Sequence, residues 1–203
     1  MSELPTLLLG LTGGMGCGKS TALACFAAAG FKTYDCDQVV RERLSREPAY
    51  VAAIGERFGS DVLAPDGQID REKLAARAFR DAEALAWIEA WMHPRLYADW
   101  ETTFARNRTH DWVVEVPLLF EKELQKWFDY TVCVTADSAV QLQRLARRGM
   151  APDQARERLT RQMPVSRKCE LADYVLVNDG TPDFLRTQVH RLIAELRAPR
   201  SRQ

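Results

Sequence analysis

Five short runs rich in aliphatic, aromatic and β-branched side chains punctuate the chain, at residues 7–11, 31–34, 112–116, 130–135 and 174–177. The first, Leu7-Leu8-Leu9-Gly10-Leu11, is apolar throughout instead of alternating, as expected for a strand covered on both faces. Helical stretches separate the runs. Residues 19–29 are rich in alanine and leucine and stop at Gly30, the pattern of a helix and its terminating glycine. Between residues 34 and 112 no convincing strand occurs; helices are expected over 70–79, 81–92 and 94–107, the last with Pro94 at its start. The arginine-dense segment 141–168 reads as two helices broken at Gly149 and Pro152. Strands alternating with helices predict an α/β doubly wound fold, a five-stranded parallel sheet with flanking helices. Its core is expected over about 1–37, 110–140 and 172–203, with a helical insertion over about 38–109 and a helical lid over about 141–171.

Ligands of such sheets bind beyond the C-terminal ends of the strands, and polar or special residues stand there: Thr12, Asp35, Asp37, Pro117 and Asn178. The most specific signal follows the first strand. Gly13-Gly14-Met15-Gly16-Cys17-Gly18-Lys19-Ser20-Thr21 fits G-x-x-x-x-G-K-[ST], the loop that wraps nucleotide phosphates. Its glycines let backbone N–H groups turn inward on phosphate oxygens, and the dipole of the following helix favours the same negative charge. Lys19 then reaches the β- and γ-phosphates, and the Ser20 hydroxyl is a ligand for Mg²⁺. A chance glycine-rich turn would not need the buried strand before it and the helix behind it. The loop alone leaves a switch, a motor and a kinase open; with acids at the next strand end, a helical insertion and an arginine-rich segment beside it, the expected fold is P-loop nucleotide-kinase-like.

Composition narrows the partners. The chain of 203 residues carries 28 basic and 28 acidic side chains, a neutral balance that gives no global attraction to nucleic acid or anionic membrane. No apolar stretch reaches the length of a membrane span, and no basic segment leads into a signal-peptide core. Five cysteines form no C-x-x-C pair, which suggests reduced thiols in a cytoplasmic protein. A monomer is favoured, without nucleic-acid or membrane partners.

Other constellations admit two readings each. Asp35-Cys36-Asp37 can orient Mg²⁺-bound water and accept a proton from an attacking hydroxyl, or one acid can cap the next helix. Glu115, the only acid in the 112–117 strand region, either binds a metal-coordinated water or stands at the sheet edge. His93-Pro94 is a helix junction or a substrate contact. Cys17 is a space-filling residue or a redox-sensitive thiol. Arg144, Arg147, Arg148, Arg156, Arg158, Arg161, Arg167 and Lys168 decorate a solvated hairpin or a mobile lid that closes on the triphosphate.

Taken together, these stretches resemble the bacterial dephospho-coenzyme A kinases. The resemblance is carried in order by Gly10 to Thr21, Asp35-Cys36-Asp37 with Arg41, Phe58-Gly59, Asp66 to Arg71, His93-Pro94, and Pro117-Leu118-Leu119-Phe120-Glu121. It continues through Gln141 to Leu145, Gln162, Ala172-Asp173 and Asn178-Asp179-Gly180. The resemblance implies transfer of the ATP γ-phosphoryl group to the ribose 3′-hydroxyl of dephospho-CoA, the last step of coenzyme A biosynthesis, with Mg²⁺ as cofactor. It implies that Gly14, Met15, Gly16, Cys17, Gly18, Lys19, Ser20 and Thr21 bind ATP with Arg144 and Asn178, the latter near the adenine. Asp37 would be the general base, supported by Asp35, with Lys19 and Arg144 offsetting charge. Thr12, Asp37, His93, Pro94, Leu118, Leu119, Phe120 and Glu121 would line the acceptor side, with Asp35 supporting the base or the Mg²⁺ shell. The loop motif itself puts Ser20 on Mg²⁺, and Glu115 stays a candidate to reach the ion through water, as Asp35 does. The departures, Cys17 and Met15, remove no catalytic group.

Rival readings are another small-metabolite or nucleotide kinase of the same class, a regulatory GTPase and a nucleic-acid-binding ATPase. The GTPase lacks its N-K-x-D motif, since Asn178-Asp179-Gly180 does not supply one. Neutral charge without aromatic–basic interleaving argues against the ATPase.

Overall fold

In the computed structural model, residues 6–42, 46–78, 81–106, 108–160 and 162–198 are described, except for the side chains of Ala105 and Arg158. The expected helix ends at Phe79 and Asn107, and Arg161, lie outside these residues. The chain divides into two compact units, one of residues 1–34 and 108–203 and the other of residues 35–107.

The first unit is built on a five-stranded sheet of order β2-β3-β1-β4-β5, with β1 Leu8–Gly13, β2 Lys32–Asp35, β3 Trp112–Glu115, β4 Tyr130–Thr135 and β5 Tyr174–Val177. The pairings of β1 with β3, β1 with β4 and β4 with β5 are all parallel. The central strand β1 is buried at all six positions, which explains why it reads as a continuous apolar run. Parallel neighbours need crossover connections, and helices supply them. Helix α1 (Lys19–Ala28) buries Ala22, Leu23 and Phe26 in a core with Leu9, Leu11, Val132, Val134 and Leu176. Burying each large aliphatic or aromatic side chain there contributes about 1.5–3 kcal/mol.

The C-terminal helix α9 (Pro182–Arg197) adds Leu185, Val189 and Leu192 to the same core and packs on α1. Proline in its first turn and the Thr181 side chain accepting from the Phe184 N–H set its start. Asp173, at the end of the family-like Ala172-Asp173 pair, accepts from both the backbone N–H and the hydroxyl of Thr131 at 2.8 Å. It thereby ties the entrance of β5 to β4.

The arginine-dense segment holds three helices where two are expected: α6 Ser138–Arg147, α7 Pro152–Thr160 and α8 Val165–Leu171. Gly149 and Pro152 do break the first two. Pro164 then stands at the N-cap of α8, where a missing N–H costs nothing and the fixed φ restarts the helix.

The second unit is helical, with α2 Cys36–Glu42, α3 Pro48–Phe58, α4 Arg71–Ala78 and α5 Ala82–Trp100. Tyr50, Ile54 and Phe58 recur every fourth residue along the buried stripe of α3. Tyr50 packs on Trp91 and Phe58 on Trp87, with ring centroids 4.6 and 5.7 Å apart. Asp81 caps α5 by accepting from the N–H groups of Glu83 and Ala84. Sequence places a helix boundary at Pro94, but α5 runs through it for 19 residues. The buried stripe Ala84, Met92, Leu96 and Trp100 stays in register across the proline, so burial outweighs the lost backbone bond. Just after the proline, Arg95 donates from Nη1 to the Trp91 carbonyl at 2.9 Å with its guanidinium 3.3 Å from the Trp91 ring centre. A π-turn over Glu101–Ala105 ends the segment.

Candidate active site

The loop after β1 turns back on itself, the Cys17 N–H donating to the Gly14 carbonyl at 3.2 Å. It enters α1 through Gly18, which has φ +94° and no capping side chain. The first-turn N–H groups of α1 therefore lack a side-chain acceptor at the cap, the arrangement that suits an anion. A Cβ on Gly18 would lie 2.1 Å from Asn178 Nδ2, so only glycine lets the loop and Asn178 approach this closely. Ser20 and Thr21 are exposed on the first turn. Lys19 lies back over the loop, its Nζ 3.3 Å from the carbonyls of Gly13 and Gly14 and 4.0 Å from Glu115 Oε1. Glu115 closes β3 opposite Leu11 of β1 and is buried. The strand-end acid and the loop lysine thus share one corner of the sheet.

Two further side chains hold the loop by its carbonyls. Arg144 in the last turn of α6 directs Nη1 to Gly16 O at 3.3 Å and Cys17 O at 3.4 Å, and Nη2 to Asn178 O at 2.9 Å. Buried Asn178, just past β5, donates from Nδ2 to Cys17 O at 2.8 Å. Beside them opens a cavity of about 290 Å³ lined by Gly18, Thr21, Arg147, Arg148, Gly180 and Pro182, with Arg144 and Asn178 in its wall. Cys17 itself faces inward and is wholly buried. Burial pushes its thiol pKa up, against smaller opposing effects of the Ala136 backbone and Lys19. It fills space in the core.

A family model described as dephospho-CoA kinase matches residues 7–183. The chain is 38% identical over 196 residues to a dephospho-CoA kinase of Corynebacterium glutamicum, covering 94% of this chain and 97% of that one. It is 39% identical over 200 residues to the dephospho-CoA kinase of Anaeromyxobacter dehalogenans, covering 97% and 95%. The chain belongs to the dephospho-CoA kinase family. Among solved structures, a protein from Thermus thermophilus superposes with a TM-score of 0.82 at 29% identity, over 96% of this chain and all of that one.

The segment after β3 is more buried than a substrate-lining strip needs to be. Leu119 is fully buried and Phe120 nearly so, while Leu118 is half-buried. Glu121 Oε1 accepts from the Met163 N–H at 3.1 Å and from Lys168 Nζ at 2.8 Å. Thr12 is buried at the end of β1 and donates to the Pro117 carbonyl at 3.3 Å. Lys168 is not among the solvated cations of the arginine-dense segment, because its side chain is entirely buried. Arg156 and Arg167, by contrast, make exposed pairs with Asp153 and Glu170 on their own helices, which contribute little.

In the second unit Asp35 ends β2, and its Oδ1 accepts the Gln38 N–H at 2.9 Å. Asp35 is therefore the cap of α2. Asp37 sits exposed in the first turn of that helix, where its negative charge is favourable to the dipole. Half-buried His93 stacks on Tyr97 within α5, ring centroids 5.8 Å apart, and Pro94 is exposed beside it. Sequence reasoning did not single out the carbonyl-holding function of Arg144 and Asn178, and no residue pattern announces it.

Proposed function

We propose that the protein transfers the γ-phosphoryl group of ATP to the ribose 3′-hydroxyl of dephospho-CoA, giving coenzyme A and ADP. The observation that carries this reading is the phosphate loop opening α1 in a chain that matches the dephospho-CoA kinase family from residue 7 to residue 183. In this reading Gly14 to Thr21 bind the phosphates through backbone N–H groups, and Lys19 swings from the loop carbonyls to the β- and γ-phosphates. The cavity beside Asn178 takes the adenosine moiety, and Arg144 with its neighbours offsets charge on the phosphoryl oxygens. Residues 141–171 act as the lid and residues 38–109 as the acceptor-binding insertion. His93 and Pro94 from the insertion and the 118–121 segment bind the acceptor.

Asp37 takes the proton of the 3′-hydroxyl as its oxygen attacks the γ-phosphorus. The bond to the bridging oxygen breaks in line, and ADP departs. Asp35 fixes the start of the helix that presents Asp37. Ser20 supplies a hydroxyl oxygen and Glu115 a carboxylate, a donor set that suits a hard dication. Among the described residues no cluster of three or more His, Cys, Asp or Glu is arranged to hold a metal ion; Mg²⁺ would be held by the Ser20 hydroxyl together with the nucleotide. When bound it would neutralise charge on the β- and γ-phosphoryl oxygens. No helix of the described residues is long and apolar enough to cross a membrane, and the free thiols fit the reducing cytoplasm where ATP is abundant.

The test is ADP release measured with dephospho-CoA beside shikimate, gluconate, nucleosides and nucleoside monophosphates. Turnover with dephospho-CoA at least 10²-fold above the others is expected, a margin that differential transition-state binding readily supplies. Comparable turnover with another acceptor would overturn the assignment.

A further inference from the structure

Lys168 is a charged side chain with no exposed surface, on a helix that by composition should be solvated. Its Nζ donates to the Pro117 carbonyl at 2.6 Å and pairs with Glu121 Oε1 at 2.8 Å. Both partners belong to the segment that follows β3. The Pro117 carbonyl also accepts from Thr12 at the end of β1, and Glu121 Oε1 also accepts from Met163, just before α8. The ammonium therefore ties α8 to the 117–121 segment, and the Pro117 carbonyl it shares with Thr12 links both to the strand that feeds the phosphate loop.

Fold stability alone does not account for this arrangement. Replacing a buried ion pair with apolar side chains of similar size is often neutral or stabilising. Glu121 Oε2 is moreover buried without a hydrogen bond among the described residues, a state that stability would select against. An apolar pair would fill the same space but would not fix a backbone carbonyl, because only a donor can orient Pro117 O. We propose that Lys168 is a positioning residue for the acceptor: its ammonium sets the 117–121 segment against the end of β1, so that dephospho-CoA is held in line with the γ-phosphate. The inference rests on the reading that this segment lines the acceptor side. A positional error of about 1 Å at such a segment is enough to cost about 10²-fold in rate.

Three variants of the full chain test it, each measured for thermal midpoint, affinity for a fluorescent ATP analogue, kcat, and KM for dephospho-CoA. Lys168→Met alone strands the Glu121 carboxylate and should lower the thermal midpoint. Lys168→Met with Glu121→Met removes both charges and should recover most of that loss. If Lys168 positions the acceptor, the double variant still shows nucleotide affinity within about twofold of the parent, while kcat/KM for dephospho-CoA falls about 10²-fold. Recovery of kcat/KM together with the thermal midpoint would overturn the proposal and leave the pair a structural contact. A loss of ATP-analogue affinity as large as the loss in kcat/KM would also overturn it. Leu118→Ala tests the underlying reading separately and should raise KM for dephospho-CoA about tenfold, as loss of a buried apolar contact does. An unchanged KM in that variant removes the segment from the acceptor side, and the proposal with it.

Discussion

Gly18→Ala separates backbone strain from steric conflict at the phosphate loop. Alanine at φ +94° carries the left-handed penalty of an L-residue, about 1–2 kcal/mol. Its Cβ would also stand 2.1 Å from Asn178 Nδ2, a distance no pair of atoms can hold. Asn178 must then withdraw and give up its 2.8 Å bond to the Cys17 carbonyl, which Arg144 still reaches, at about 1–3 kcal/mol because the Asn178 amide donor is buried. The total of about 2–5 kcal/mol falls on the loop itself, so ATP affinity should drop by about 30-fold or more. Gly30→Ala is the matched control. Its φ is +96° with nothing within 4 Å of the added carbon, so it bears the backbone penalty alone.

Titration calorimetry with a non-hydrolysable ATP analogue, alongside thermal denaturation, reads both effects. Gly30→Ala should lower the thermal midpoint and leave affinity unchanged. In an Asn178→Ala background the obstructing amide is gone, and the further cost of Gly18→Ala should shrink to its backbone part, a coupling of about 1–3 kcal/mol. Equal nucleotide affinity in Gly18→Ala and Gly30→Ala would refute the steric argument, as would strict additivity of Gly18→Ala with Asn178→Ala.

Lys19→Ala should lower kcat by about 10²-fold or more while circular dichroism and thermal midpoint stay close to the parent, since its loop contacts at 3.3 Å are long. Asp37→Asn should lower kcat by about 10²–10⁴-fold with nucleotide affinity unchanged, whereas Asp35→Asn keeps a cap acceptor and should cost far less; the kcat ratio of the two variants is the check. Burial raises the Cys17 thiol pKa, so its thiolate fraction at neutral pH is small, and iodoacetamide with peptide mapping should label half-buried Cys169 well before Cys17. Burial likewise pushes the Tyr50 phenol up to about 12. Its contribution to stability is therefore intact below pH 10 and is lost as pH rises towards 12, which denaturant midpoints across that range should show together with delayed phenolate absorbance.

The parts of this protein that were legible in sequence share one property: their signal is local. A buried strand, a glycine-rich turn and a helix start occupy consecutive residues 7–29, and the loop chemistry needs all of them in that order. The expected helix boundary at Pro94 failed because it too was a local signal, opposed by a buried stripe that continues from Ala84 to Trp100. Arg144 and Lys168 were legible as cations but not by function. Their partners are backbone carbonyls 128 and 51 residues away in sequence, and every residue type carries a carbonyl, so no partner residue marks the contact. The same limit held at Asp35 and Asp37, which residue type and spacing leave equivalent and which only the family resemblance separates. The Gln38 N–H distinguishes them: Asp35 Oδ1 is committed to starting α2, so accepting a substrate proton at that oxygen would loosen the helix that carries Asp37. One acid therefore holds the turn, which supports the proposal that Asp37 takes the proton.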